Sequence, residues 1–164
     1  KYLPTHDKTA TLLGDPQWRW LEQQLKQPAE LRLIVSSTQI VANENGMDEW
    51  GAFPHERQRL FDLIKTTRAT GVLLLSGNVH YTELSKTDEG DYPLYDFTAS
   101  GMTHVTLAYA SAPNAYRVAG PFVEHNVGLV EINWEVTDPV VRLRALAVDG
   151  RDGFKYELSL GALK

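Results

Sequence analysis

The 164-residue chain carries 16 basic and 21 acidic side chains, five histidines and no cysteine, for a formal net charge of -5 and a pI near 5.5. That balance, with the basic residues scattered, argues against a nucleic-acid binder, which needs a basic stripe. The missing cysteines exclude disulfides and thiolate metal ligands, so that His, Asp, Asn and backbone oxygens are left to hold any metal. No run of about 18 apolar residues is present to span a membrane, and Lys1-Tyr2-Leu3-Pro4 lacks the hydrophobic segment of a signal peptide.

Residues 1–14 read as an extended lead-in, followed by Asp15 as a helix N-cap and Pro16 at the first helical position. The helix is predicted to run to about Lys26, with Trp18, Leu21 and Leu25 on one face and Pro28 ending it. Leu31 to Val35 reads as a buried strand that opens into Ser36-Ser37-Thr38-Gln39. Residues 42–53 form a long connection of the kind used as lids or binding loops. A second helix is predicted from Pro54, with Leu60, Phe61 and Ile64 inward, stopping at Gly71. Val72 to Leu75 is another apolar strand, cut by Ser76-Gly77.

A helix between two buried strands implies a parallel crossover, which brings both carboxyl ends to one edge of the sheet, where ligands bind in open α/β sheets. Ser36 to Gln39 and Ser76 to Tyr81 should therefore lie side by side. After about residue 92 the period changes to alternation: Val130, Ile132 and Trp134, then Val141, Leu143 and Ala145, then Phe154, Tyr156, Leu158 and Leu160. These segments predict an antiparallel meander. No repeat and no Gly, Ser or Pro-rich linker divides the chain.

Gly77-Asn78-Val79-His80 sets two potential metal ligands two residues apart directly after a buried strand: an amide oxygen at Asn78 and an imidazole at His80. On an extended chain these would project in opposite directions and could serve two metals. Gln39 is a candidate to line the pocket and donate to phosphate. Trp50 is a candidate to stack on a substrate's leaving group or to pin the long loop. His104 is a further histidine near this edge without an identifiable partner. His55, His6 and His125 read as cap or loop residues, and Arg57 as a salt-bridge residue.

Several of these segments resemble the alkaline phosphatase D (PhoD-like) phosphatases of the metallophosphoesterase superfamily. The resemblance rests on Leu13 to Leu21, Arg32 to Gln39, Glu49-Trp50 with Phe53 to Arg57, and Ser76 to Glu83. Tyr95 to Gly101 and Asn126 to Leu129 are similar to later landmarks, and all follow the family's order. The resemblance implies a mixed α/β fold, the C-terminal half of an α/β/β/α sandwich in which a parallel strand-helix-strand unit precedes the antiparallel meander. It also implies phosphoester hydrolysis at a binuclear or larger centre of iron and calcium, with His80 on the iron and position 78 on the neighbouring hard cation. The family usually has Asp where this chain has Asn78, so one negative charge is lost there.

The family's first metal ligands belong to an N-terminal half that has no counterpart in residues 1–164. That half, on the same or a separate polypeptide, is the expected partner, with a phosphoester as substrate and a periplasmic or secreted location by resemblance. The other reading is a non-catalytic, truncated or inactivated relative that serves as a binding or structural module.

Overall fold

The computed structural model describes residues 3–164. Helix α1 spans Gly14–Leu25 and buries Trp18 and Leu25. Asp15 is not its cap but lies in the first turn, because the Thr11 hydroxyl accepts from the Gly14 amide at 2.9 Å. Helix α2, Pro54–Thr66, starts on its proline and buries Leu60, Phe61 and Ile64, as the spacing predicts. It ends before Gly71: Thr67 Oγ1 donates to the Leu63 carbonyl at 2.7 Å, and Arg68 adopts a left-handed φ of 54°.

Five strands form the main sheet: β1 (Arg32–Val35), β2 (Val72–Ser76), β3 (Thr82–Thr87), β4 (Leu94–Ala99) and β5 (Arg117–Phe122). Their order is β1-β2-β4-β3-β5, with β1, β2 and β4 parallel and β3 antiparallel to both of its neighbours. The crossover through α2 therefore joins parallel strands, Val35 pairing with Leu75 at their carboxyl ends. A four-residue helix α3, Leu107–Ala110, lies between β4 and β5. The expectation of a buried first strand is corrected. Strand β1 is the sheet's edge, and Leu33 and Val35 remain 48% and 75% exposed while Ile34 packs under the helices.

The meander forms as expected, from β6 (Asn126–Asn133), β7 (Val140–Ala147) and β8 (Asp152–Ser159). Leu73, Leu84 and Phe97 of the main sheet meet Val141, Leu143 and Leu158 of this smaller one. Val72, Leu74 and Leu94 face α1 and α2 on the other side. The alternation of β2 thus feeds two cores, giving a helix layer and two stacked sheets in a mixed α/β arrangement. Each fully buried aliphatic or aromatic side chain in these layers contributes about 1.5–3 kcal/mol. The sheets meet closely at Gly128, where an added Cβ would fall 2.4 Å from the Ala99 Cβ. Trp134, expected inward with Ile132, is half exposed: β6 ends at Asn133, whose Oδ1 accepts from the Glu135 amide at 2.9 Å and starts the turn.

Candidate functional site at the carboxyl edge of the sheet

The loops after β1, β2 and β4 converge, as the crossover requires. Ser36 N donates to the Leu75 carbonyl at 2.9 Å, and a Cβ at Gly77 would lie 3.5 Å from Ser37 O and 3.6 Å from the Ser100 Cβ. Beneath them is a polar floor. Asp96, fully buried on β4, accepts from the amides of Ile40 and Val41 at 2.7 and 3.0 Å and from Ser76 Oγ at 2.6 Å. Burial pushes its carboxyl pKa up, against the pull of those donors. Glu83, also fully buried, accepts from Gln39 Nε2 at 2.7 Å, Asn114 Nδ2 at 2.8 Å and Arg117 Nε at 2.5 Å.

Gln39 belongs to this floor. Its Nε2 hydrogens go to Glu83 and to Thr98 Oγ1 at 3.0 Å, and its Oε1 accepts from Asn45 Nδ2 at 2.6 Å. Both amide donors are thus committed to the interior rather than offered to a phosphate. Trp50 is buried too, its Nε1 donating to Ser36 Oγ at 2.9 Å and its ring meeting Trp18 edge-on at 6.2 Å. The indole pins the long loop, and one side of it lines a cavity of about 280 Å³ shared with Ser36, Ser37 and Thr38. That loop is less free than its length suggests, because the Trp50 amide also donates to Gln39 O at 2.9 Å. Arg57 likewise serves structure: it donates to the carbonyls of Ile40 and Val41 and pairs with Glu89 at 2.9 Å. His55 Nε2 is taken by the Ala10 carbonyl at 2.7 Å.

The Gly77 to His80 segment is not extended, which corrects the picture of two ligands projecting oppositely from a straight chain. Asn78 and His80 adopt left-handed φ values of 76° and 59°. Between them Val79 turns inward and is wholly buried against Tyr81 and Ala110. Left-handed backbone costs a non-glycine residue roughly 1–2 kcal/mol, asparagine being among the better-tolerated types. Such strain clusters at binding and catalytic sites. Burial of Val79 and three hydrogen bonds to His80 offset it here. Asn78 is exposed, with Nδ2 only 3.4 Å from the Asp48 carbonyl and its Oδ1 uncommitted. His80 is half-buried: its amide donates to Ser100 Oγ at 2.9 Å, its carbonyl accepts from the Thr106 amide at 3.2 Å, and its Nδ1 lies 3.1 Å from Thr106 Oγ1. Engagement of Nδ1 by a hydroxyl fits a ring whose Nε2 serves as a ligand. Among the described residues, however, no three His, Cys, Asp or Glu side chains gather to hold an ion. The loop fits part of a metal shell, not a whole one.

Comparison with known proteins gives a family. The sequence model of the family described as "PhoD-like phosphatase" matches residues 2–121. The chain belongs to this family. No curated protein matches it at the sequence level. A solved structure titled "Structure of PhoD" is similar in fold, with a TM-score of 0.64 at 16% identity, over 96% of this chain and 34% of that one. The chain thus spans about a third of that relative's length. The family match ends within β5, so the Asn126 to Leu129 landmark lies beyond it.

In this PhoD-like chain the Asp96 and Glu83 carboxylates, which build the site's floor, escaped sequence reasoning because their partners are distant in the chain. Glu49 is a third buried carboxyl near this site. Its Oε2 is buried without a hydrogen-bond partner and its Oε1 receives only the Gly46 amide at 3.4 Å. Burial pushes its pKa up to about 7. Because the folded value exceeds the unfolded one, the neutral form carries no penalty below pH 4.5, and the cost of ionisation grows as pH rises to about 7. Glu49→Gln should therefore leave stability nearly unchanged at pH 4.5 and raise it by roughly 2–3 kcal/mol at pH 8. Urea unfolding at the two pH values checks this, and an equal effect at both would remove Glu49 as the cause.

Proposed function

We propose that this chain is, on its own residues, a non-catalytic module carrying the last metal-binding loop of a metal-dependent phosphoester hydrolase. The remaining ligands, in this reading, lie on polypeptide outside residues 1–164. One observation carries it: Asn78 and His80 are held by strained backbone at the ligand edge of the sheet, while no three-residue ligand cluster exists among the described residues. His80 offers a nitrogen suited to iron, and Asn78 an oxygen suited to a calcium-type ion. Ions so held would polarise the phosphoryl oxygens and acidify a water molecule. Trp50 and Gln39 act from below, the first fixing Ser36 and the second fixing the start of the long loop. Any contact from Trp50 to a leaving group would run through the cavity it lines. A periplasmic or secreted location follows from the resemblance alone. The exposed edge of β1 supports a partner segment, since parallel sheets are normally covered and an apolar edge strand invites pairing.

A second reading, an inactivated relative kept as a binding or structural module, is favoured by the same incomplete shell and by the neutral Asn78. Two substitutions in the protein joined to its completing segment separate the readings. Asn78→Asp restores a carboxylate and should raise calcium affinity, and with it aryl phosphate hydrolysis, by about tenfold. His80→Ala should lower hydrolysis by at least about 100-fold, beyond what loss of a supporting contact causes. Calcium dependence, turnover and metal content are the readouts. Absence of hydrolysis in every form, with metal bound normally, establishes the inactive module instead.

A further inference from the structure

His104 is the residue that the fold brings to His80 and the sequence does not. His80 ties the loop after β2 to the loop after β4 by three hydrogen bonds: its amide to Ser100, its carbonyl from the Thr106 amide, and its Nδ1 with Thr106 Oγ1. These bonds bracket residues 100–106, and within that bracket the His104 ring lies 5.6 Å from the His80 ring, centroid to centroid, with 32° between their planes. Tyr109, the third residue of the short helix that follows, packs on His80 as well, at 5.8 Å.

The two imidazoles are prepared in the same way. His104 Nδ1 lies 3.0 Å from Thr103 Oγ1, as His80 Nδ1 lies 3.1 Å from Thr106 Oγ1. Among the described residues neither Nε2 has a protein partner. With each Nδ1–H donating to its threonine, both lone pairs sit on Nε2, the state in which histidine binds a metal. The spacing agrees. A nitrogen bound at about 2.0–2.1 Å sets its ring centroid roughly 3.2 Å from the ion, so two rings on one tetrahedral ion stand roughly 5.2 Å apart and two opposed rings roughly 6.4 Å. The observed 5.6 Å falls between these limits.

We propose that His80 and His104 together form a two-histidine site for a single first-row transition-metal ion such as iron, cobalt or zinc, the same ion that the proposed function places on His80. The inference rests on the reading of His80 as a ligand and extends it to a second residue. Its nitrogen donors distinguish it from the oxygen at Asn78, because calcium and magnesium take oxygen ligands whereas imidazole suits the later transition metals. The open positions on such an ion would be filled by water, by a substrate oxygen or by ligands from the completing segment.

The test is a titration of the protein with cobalt(II), followed by its visible absorption and by calorimetry. It compares wild type with His104→Gln, His80→Asn and the double variant. Asparagine is chosen at position 80 because it accepts the left-handed φ of 59° there. His104 is exposed, so its replacement leaves the core untouched. Near-UV circular dichroism checks each variant's packing. One cobalt should bind per chain, each single variant should weaken binding by at least about tenfold, and the double variant should weaken it little further. Excess calcium should not displace the cobalt. If His104→Gln binds cobalt as wild type does while His80→Asn does not, His104 is no ligand and the inference falls, yet His80 keeps its proposed role. If wild type binds no cobalt, or calcium displaces it, the pair is not a nitrogen site and the inference falls. The hydrolase reading is then judged by the Asn78 and His80 assays alone.

Discussion

Asp96→Ala is expected to destabilise the protein by about 3–5 kcal/mol, the cost of stranding several buried hydrogen-bond donors at once. The carboxylate is the acceptor for the amides of Ile40 and Val41 and for Ser76 Oγ, at a residue with no solvent exposure. Its loss leaves three donors facing an alanine, each costing about 1–3 kcal/mol when buried unpaired, though not additively. Asp96→Asn keeps one acceptor oxygen and should cost less than half as much. Urea unfolding measures the difference, and hydrogen exchange at Ile40 and Val41 locates it. A loss below about 1 kcal/mol for the alanine variant would mean that the loop holds its position without Asp96.

Glu56→Ala should cost a comparable amount, about 3–4 kcal/mol near neutral pH. Its Oε2 receives Thr11 Oγ1 at 2.7 Å, the Leu12 amide at 2.9 Å and Trp18 Nε1 at 3.0 Å, fixing the lead-in and α1 to the start of α2. Burial raises the carboxyl pKa, but the donors from Thr11, Leu12 and Trp18 outweigh it and hold the group below the usual glutamate range. For a lowered acid the stabilisation is full above the unfolded value and is lost as pH falls through the folded one. The gap between wild type and Glu56→Ala should accordingly narrow below pH 4.5. Stability curves at pH 7 and in mild acid decide it. A gap that stays constant would assign the effect to packing rather than to the ionised carboxylate.

How much of the fold was legible depends on where each residue's partner lies. The apolar faces of α1 and α2, the run from Val72 to Leu75 and the alternation in β6 to β8 are local patterns, and each forms where its period predicts except at Trp134, past the end of β6. Strand β3 reads Thr-Glu-Leu-Ser-Lys-Thr and shows no such pattern, yet five of its six residues are buried. Its polar groups are satisfied by residues remote in sequence, Thr82 by Asn126 Oδ1 at 2.6 Å and Glu83 by Gln39, Asn114 and Arg117. Strand β1 failed in the opposite way. Its apolar run reads as buried, but a run of side chains does not say whether a neighbouring strand exists to cover it.

The candidate site divides along the same line. The sequence by itself determined the parallel crossover, the convergence of Ser36 to Gln39 with Ser76 to Tyr81, and the candidacy of Asn78 and His80, because a strand-helix-strand order dictates which chain ends share an edge. Only the tertiary structure decided that Gln39 is spent on Glu83, Thr98 and Asn45 in the interior, that Trp50 pins a loop, and that Asn78 and His80 sit on left-handed backbone with Val79 turned inward. It alone set His104 beside His80. Periodicity reports which face of an element is apolar, whereas hydrogen-bond partners and backbone strain are fixed by segments that meet only after the sheet has closed over its two cores.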